Sequence, residues 1–253
     1  MQRKVFATLA AILVALAAGA ARAEEIHLLS AASMQTVFKE ILGDFEHSSG
    51  HKVVVGYSTM GAITGRVAGG ETADLVISSQ ASISSLVAQG KIASGSELLI
   101  AKTGIGAVVP AGDRKPRIES AEDFKRALRE SNVIVYANPA GGGAAGVHIA
   151  RLIEKFGLAE QLKQKTVFGA GGDVAEVTVA RGSGALGLTQ VSEIVGKPGM
   201  QFVPLPEELQ NYTGFVAGIP LGGKASPAVG QFIAFLKTPA AIAVMKEKGM
   251  KVD

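Results

Sequence analysis

Val133-Ile134-Val135-Tyr136-Ala137-Asn138-Pro139-Ala140-Gly141-Gly142-Gly143-Ala144-Ala145-Gly146-Val147-His148-Ile149 is the stretch whose reading decides the fold. Val133–Tyr136 is an uncharged, β-branched and aromatic run, which reads as a buried strand. Asn, Pro and Gly then make a turn. From Ala144 to Phe156 the apolar residues recur at helical spacing, and Gly157 stops the helix. A strand that passes through small residues directly into a helix leaves unpaired N–H groups at the positive end of the helix dipole. Such a junction holds an anion without a charged side chain.

The pattern occurs three more times. Ser30-Ala31-Ala32-Ser33 follows the strand Ile26–Leu29 and precedes helical spacing from Met34 to Phe45. Tyr57-Ser58-Thr59-Met60-Gly61 joins Val53–Val55 to a helix containing Ile63–Val67, and Gly169-Ala170-Gly171-Gly172-Asp173 joins Thr166–Phe168 to Val174–Ala180. Leu75–Ile77 and Leu186–Leu188 read as further strands, and Ile83–Val87 and Phe124–Leu128 as helical. Alternation of this kind builds an α/β fold of mostly parallel sheets with flanking helices. Two apolar runs, Leu98–Ile100 and Ile105–Val109, flank Gly104, and Tyr212–Ile219 is punctuated by Gly214 and Gly218. These read as two crossings between lobes. The expected division is a first lobe of residues 24–103 plus 220–253 and a second of 104–219; a single doubly wound sheet is the alternative. Pro227–Leu236 and Pro239–Lys248 read as terminal helices with proline near the start.

The N-terminus reads as a cleaved secretory signal over residues 1–23. Arg3 and Lys4 precede the apolar stretch Val5–Ala20, and Ala21-Arg22-Ala23 supplies the small-x-small site. Cleavage removes Arg3, Lys4 and Arg22, and with them the whole formal net charge of +3. No Lys/Arg cluster then offers a face to nucleic acid. There are no cysteines, which excludes thiolate catalysis, disulfides and Cys-ligated zinc.

Gly141 to Gly146 matches G-x-G-x-x-G, but a dinucleotide site also wants an acid at the end of a second strand about 20 residues on. Glu160 lies near that distance in a charged, helical stretch, so the run is read as an anion turn and no cofactor is expected. His47 and His51 have i, i+4 spacing without an evident third ligand, and no metal site is expected. His148 reads as a packed or surface histidine. Ser33, Ser58 and Thr59 could each be simple helix caps. Their joint placement at the carboxyl ends of parallel strands, where α/β ligands bind, makes them candidate donors.

At these residues the chain resembles the periplasmic molybdate-binding proteins of ABC transporters, within the class II solute-binding superfamily. The resemblance lies in Ala31-Ala32-Ser33, in Ser58-Thr59 with Gly69-Gly70-Glu71-Thr72-Ala73-Asp74-Leu75, in Pro139–Phe156, and in Arg181-Gly182-Ser183-Gly184-Ala185-Leu186-Gly187. It implies a two-lobed type II periplasmic-binding-protein fold that holds an anion through hydroxyls and helix N-terminal amides. Met60 stands where the family has a ligand serine, and Gln190 where it has a ligand tyrosine. Periplasmic aconitate isomerases resemble the same family and move an allylic proton in an unsaturated tricarboxylate.

The expectation is therefore a monomeric periplasmic binding protein for a small oxyanion or carboxylate, feeding an ABC transporter; the alternative is an aconitate isomerase-like enzyme with no identified base. Ser33, Ser58 and Thr59 would donate hydroxyls. Gly142, Gly143 and Asp173 would donate backbone amides, and Gln190 its side-chain amide, with Met60 beside them. Ser33, Ser58, Gly142 and Asp173 should surround one pocket.

Overall fold

The computed structural model describes residues 23–223 and 226–252, so the expected leader lies, but for Ala23, outside the described residues. The chain runs β1 (Glu25–Ala31), α1 (Gln35–Ser49), β2 (Lys52–Ser58), α2 (Met60–Ala68), β3 (Leu75–Ser79), α3 (Gln80–Ala88), β4 (Leu98–Thr103) and β5 (Ile105–Pro110). It continues through α4 (Ala121–Glu130), β6 (Val133–Ala137), α5 (Ala144–Lys155), α6 (Ala159–Leu162), β7 (Thr166–Gly169), α7 (Val174–Ala180) and β8 (Ala185–Gln190). The last elements are β9 (Met200–Pro204), β10 (Thr213–Gly218), α8 (Pro227–Phe235) and α9 (Pro239–Glu247). Short 3-10 turns at Ala32–Met34 and Val191–Glu193 matter below.

Among the described residues the strands form two five-stranded sheets, ordered β2-β1-β3-β10-β4 and β7-β6-β8-β5-β9. In each, the first three strands are mutually parallel. β10 is antiparallel to both β3 and β4, and β5 to both β8 and β9. Each sheet thus has a single reversed strand. In both cases it is the first strand laid down after the chain crosses from the other sheet.

The sheets bury separate cores. The first gathers β1 and β3 with α1, α8 and α9, where Phe45 stacks edge-on against Phe232 at 5.0 Å. The second packs α4 and α5 on β5, β6 and β8 around Phe124, Ile149 and Leu188. Each fully buried side chain of this size contributes about 1.5–3 kcal/mol relative to exposure. Asp74 pins the start of β3 to β1: its Oδ2 accepts from His27 N at 2.8 Å, and its own N–H donates to His27 O.

The crossings lie side by side. Gly104 separates β4 from β5, and on the return Gln210 clamps that point. Gln210 Oε1 accepts from Ile105 N at 2.8 Å and Nε2 donates to Ile105 O at 2.9 Å. A Cβ on Gly104 would sit 2.6 Å from Gln210 Oε1 and so displace this clamp. Thr213–Gly218, which the sequence division placed in the second lobe, is hydrogen-bonded wholly into the first sheet. Its extended pattern reflects a buried central strand, and the return comes before it.

Candidate functional site

The carboxyl ends of β1, β2, β6 and β8 converge: Ala31, Ser58, Ala137 and Gln190 all border one cavity between the sheets. About 30 Å³ of it is open to the centre of a water molecule. One water needs ~10–15 Å³ of such space, so the cleft is closed down to the scale of a few oxygen atoms.

Closure is held by contacts across the cleft. Thr59 Oγ1 donates to Gly141 O at 2.7 Å, and Thr36 Oγ1 to Ser192 O at 2.8 Å. Glycines allow the approach. A Cβ on Gly61 would lie 2.9 Å from Gly142 Cα, and one on Gly172 would lie 2.9 Å from Ala32 Cβ. Gly142 also has φ +68°, in the left-handed region that favours glycine.

Of the residues expected from the sequence, Ser33, Ser58, Thr59, Met60, Gly143 and Gln190 line the cavity. Gly142 and Asp173 do not. Gly142 is spent on packing against Gly61, so the lining passes to its neighbour Gly143. Asp173 is exposed in an outer groove with Tyr57, Ser58 and Thr59, and its Oδ1 accepts from Gly171 N at 3.1 Å. Gly171 and Gly172 line the cavity in its place. The shared pocket of Ser33, Ser58, Gly142 and Asp173 is therefore half formed. Met60 brings its apolar side chain to the wall and is buried at the start of α2.

The helix starts explain what the cavity offers. Thr59 caps α2 by accepting from Ala62 N at 3.2 Å. Helix α5 begins at Gly143, which has no side chain to cap with, and its first ordinary turn bond runs from Val147 N to Gly143 O. The N–H groups of Ala144, Ala145 and Gly146 precede that bond, and all three residues line the cavity. Gly146 is fixed by packing: a Cβ there would meet Ala137 O at 2.2 Å, so helix and strand touch. The 3-10 turn at Ala32–Met34 likewise starts without a side-chain cap and brings buried Ser33 to the wall. Two uncapped, positively polarised ends thus meet at one place.

Two side chains of the cavity carried no sequence signal of their function. Thr189 and Glu193 both line it, and the Thr189 hydroxyl hydrogen-bonds the Glu193 carboxyl. Burial pushes the Glu193 acid up to about 7; hydrogen bonds from Thr189 and Ser33 and the charge of Lys197 oppose the shift, and Glu176 adds to it. Gln190 is buried with its Oε1 unpartnered.

Elsewhere, expected background roles are visible. His148 Nε2 lies 2.9 Å from Leu209 O, a packing contact away from the cavity. His51 is buried, with Nδ1 accepting from Glu24 N. Glu160 sits on the short helix α6 and not at a strand end, so the acid that a dinucleotide turn calls for is not in place.

Known proteins resemble this chain over most of its length. Aconitate isomerase of a Pseudomonas species is 26% identical over 88% of this chain and 86% of its own. The molybdate-binding protein ModA of Azotobacter vinelandii is 29% identical over 96% of this chain and 97% of its own. The solved periplasmic molybdate-binding protein of the same organism superimposes with a TM-score of 0.75, covering 90% of this chain and 99% of that one at 20% identity. A family model for bacterial extracellular solute-binding proteins matches residues 26–251, nearly the whole described chain, and the protein belongs to that family.

Proposed function

We propose that this protein binds a small oxyanion or carboxylate in the periplasm and presents it to an ABC-transporter membrane component by closing two lobes over it. One observation carries the reading: α5 starts uncapped, and Ala144, Ala145 and Gly146, whose N–H groups precede its first turn bond, line a cavity that Ser33 and Ser58 also line. Aligned amides on a helix dipole stabilise an anion there. Relatives named for molybdate binding support the same class of ligand. The lobes are read as residues 24–103 with 220–253, and 104–219 apart from the strand β10; the adjacent crossings at Gly104 and Gln210 form the hinge. Export through a leader at residues 1–23 and a monomeric state belong to the same reading.

Thermal unfolding against molybdate, sulfate, phosphate and small carboxylates tests it. A true ligand at 100 times its dissociation constant adds about 2.7 kcal/mol of stability. If no anion raises the melting temperature while a sugar or cation does, the reading fails.

A second reading has its own support. The 26% identical relative is named aconitate isomerase, and the cavity contains a carboxyl, Glu193, that titrates near neutrality and so suits proton transfer. Incubation with trans-aconitate in deuterated water decides it. Deuterium entering the substrate carbon would move the protein to the isomerases; binding without exchange would return it to transport.

A further inference from the structure

Two side chains near the end of β8 do not suit a site that only donates hydrogen bonds. Gln190 is 3% exposed, lines the cavity, and leaves Oε1 without a partner. Glu193 is 7% exposed, lines the same cavity, and takes hydrogen bonds from Thr189 and Ser33. A hydroxyl has one proton, so what Ser33 and Thr189 give to Glu193 they cannot give to a ligand. The cavity therefore has two faces. Ala144, Ala145 and Gly146 donate; Glu193 accepts, and the Gln190 amide can present either end.

We infer that the accepting face makes this cleft selective for an anion that also carries an O–H donor, a monohydrogen oxyanion or a hydroxy-carboxylate, over anions offering only acceptor oxygens. The inference rests on the anion-binding reading and names its ligand class. An acceptor-only anion would meet the Glu193 carboxylate as a like charge in a dry site. A ligand O–H relieves this.

Glu193 can meet the ligand in two ways. Ionised, it accepts the ligand's O–H; protonated, it donates its own O–H to a ligand oxygen. Either way one proton lies between them, so a ligand without one must bind together with a proton from solvent. The acid's position near 7 puts this exchange within the ordinary working range.

The charged groups around it are few. Glu176 on α7 and Lys197 beyond the Val191–Glu193 turn act on Glu193 and are ion-paired with each other. Lys39 and Glu40 on α1 line a groove with them, and Glu40 pairs with Lys248. The Ala32–Met34 turn and β8 bring hydroxyls, and β5 brings no ionisable side chain.

Calorimetric titration of the leaderless protein tests this with matched ligands: phosphate, which keeps a proton at neutral pH, against sulfate and molybdate, and glycolate against acetate. Buffers of different ionisation enthalpy count the protons taken up. The expected result at about pH 8 is a preference of about tenfold for the donor-bearing member of a pair. At that pH acceptor-only anions should take up close to one proton, and they should weaken about tenfold per further pH unit. Glu193→Gln, which keeps the shape, should abolish that pH slope.

Sulfate, molybdate or acetate binding as tightly as its donor-bearing partner at about pH 8, with no proton uptake, overturns the inference; the proton count on the unaltered protein decides this even if the variant misfolds. If no anion binds at all, the anion reading itself falls.

Discussion

Helices α4 and α5 lie in the same half of the molecule and treat the same dipole in opposite ways. Ser120 caps α4 by accepting from Asp123 N at 3.1 Å, and Glu122 and Asp123 occupy its first turn. Helix α5 starts at Gly143 with no cap and no acid in its first turn. Away from the cleft, Ser79, Ser226 and Thr238 repeat the α4 solution on α3, α8 and α9. A sequence optimised only for stability would cap all of them, since a cap is worth about 1 kcal/mol. Besides the four-residue α6, the helices without a side-chain cap are α1, α5 and α7, and their starts lie at or beside the cavity. The unsatisfied amides of α5 are what a ligand can use.

That contrast can be broken most sharply by capping α5. Gly143 has extended backbone, and a Cβ there would meet only Ala137 Cβ at 3.8 Å. Gly143→Asp should therefore stabilise the ligand-free protein by about 0.5–1 kcal/mol through the cap and dipole. It should also weaken anion binding by at least a thousandfold, about 4 kcal/mol, by placing a carboxylate where the ligand charge belongs. Melting curves with and without ligand read both effects.

Glu193 gives the next largest effect, on stability. Its folded acid is raised from 4.5 to about 7, so the folded state holds the proton more tightly than the unfolded chain. The contribution is complete below pH ~4.5 and is lost as pH rises through about 7. Glu193→Gln should therefore match the native chain near pH 4.5 and become more stable than it above neutrality, by about 3 kcal/mol. Urea titrations across that range would show the two curves diverging. Parallel curves would place the carboxyl outside the dry wall.

Thr59 stands between the two regions, because it both caps α2 and bridges to Gly141 O. Thr59→Val should cost about 1–2 kcal/mol of stability and weaken ligand binding about tenfold by loosening closure. Ser120→Ala, on the distal side, should cost about 1 kcal/mol and leave affinity unchanged. An affinity loss equal to that of Thr59→Val would erase the distinction between the two sets of helix starts.

Most of the fold is legible in the sequence because its elements carry their own punctuation. Each early strand is a short apolar run that ends in Ser, Gly or Asn, and the proline-led α8 and α9 announce themselves. β9 leaves no mark in the sequence: Met200–Pro204 is short, half-buried and at a sheet edge, so little apolar pattern is imposed on it. The sequence of β10 reads as a crossing, because a buried central strand and a connecting strand look alike in one dimension.

The site was legible as a set of junctions but not atom by atom. Gly142 and Gly143 are indistinguishable in a glycine run. Only the approach of Gly61 decides which one packs and which one lines the cavity. Glu193 was invisible because a charged residue on a turn is ordinarily solvated. Its burial comes from the Ala32–Met34 turn, folded against it from the far end of the chain.

The central claim is that free amides at one uncapped helix start hold an anion. Amide NMR of the 15N-labelled protein, titrated with the anion that raises the melting temperature most, tests it directly. The account predicts large downfield shifts at Ala144, Ala145 and Gly146, with the first-turn amides of the capped helices α4 and α8 unmoved. Ligand-induced shifts that leave Ala144–Gly146 in place and fall elsewhere would contradict it.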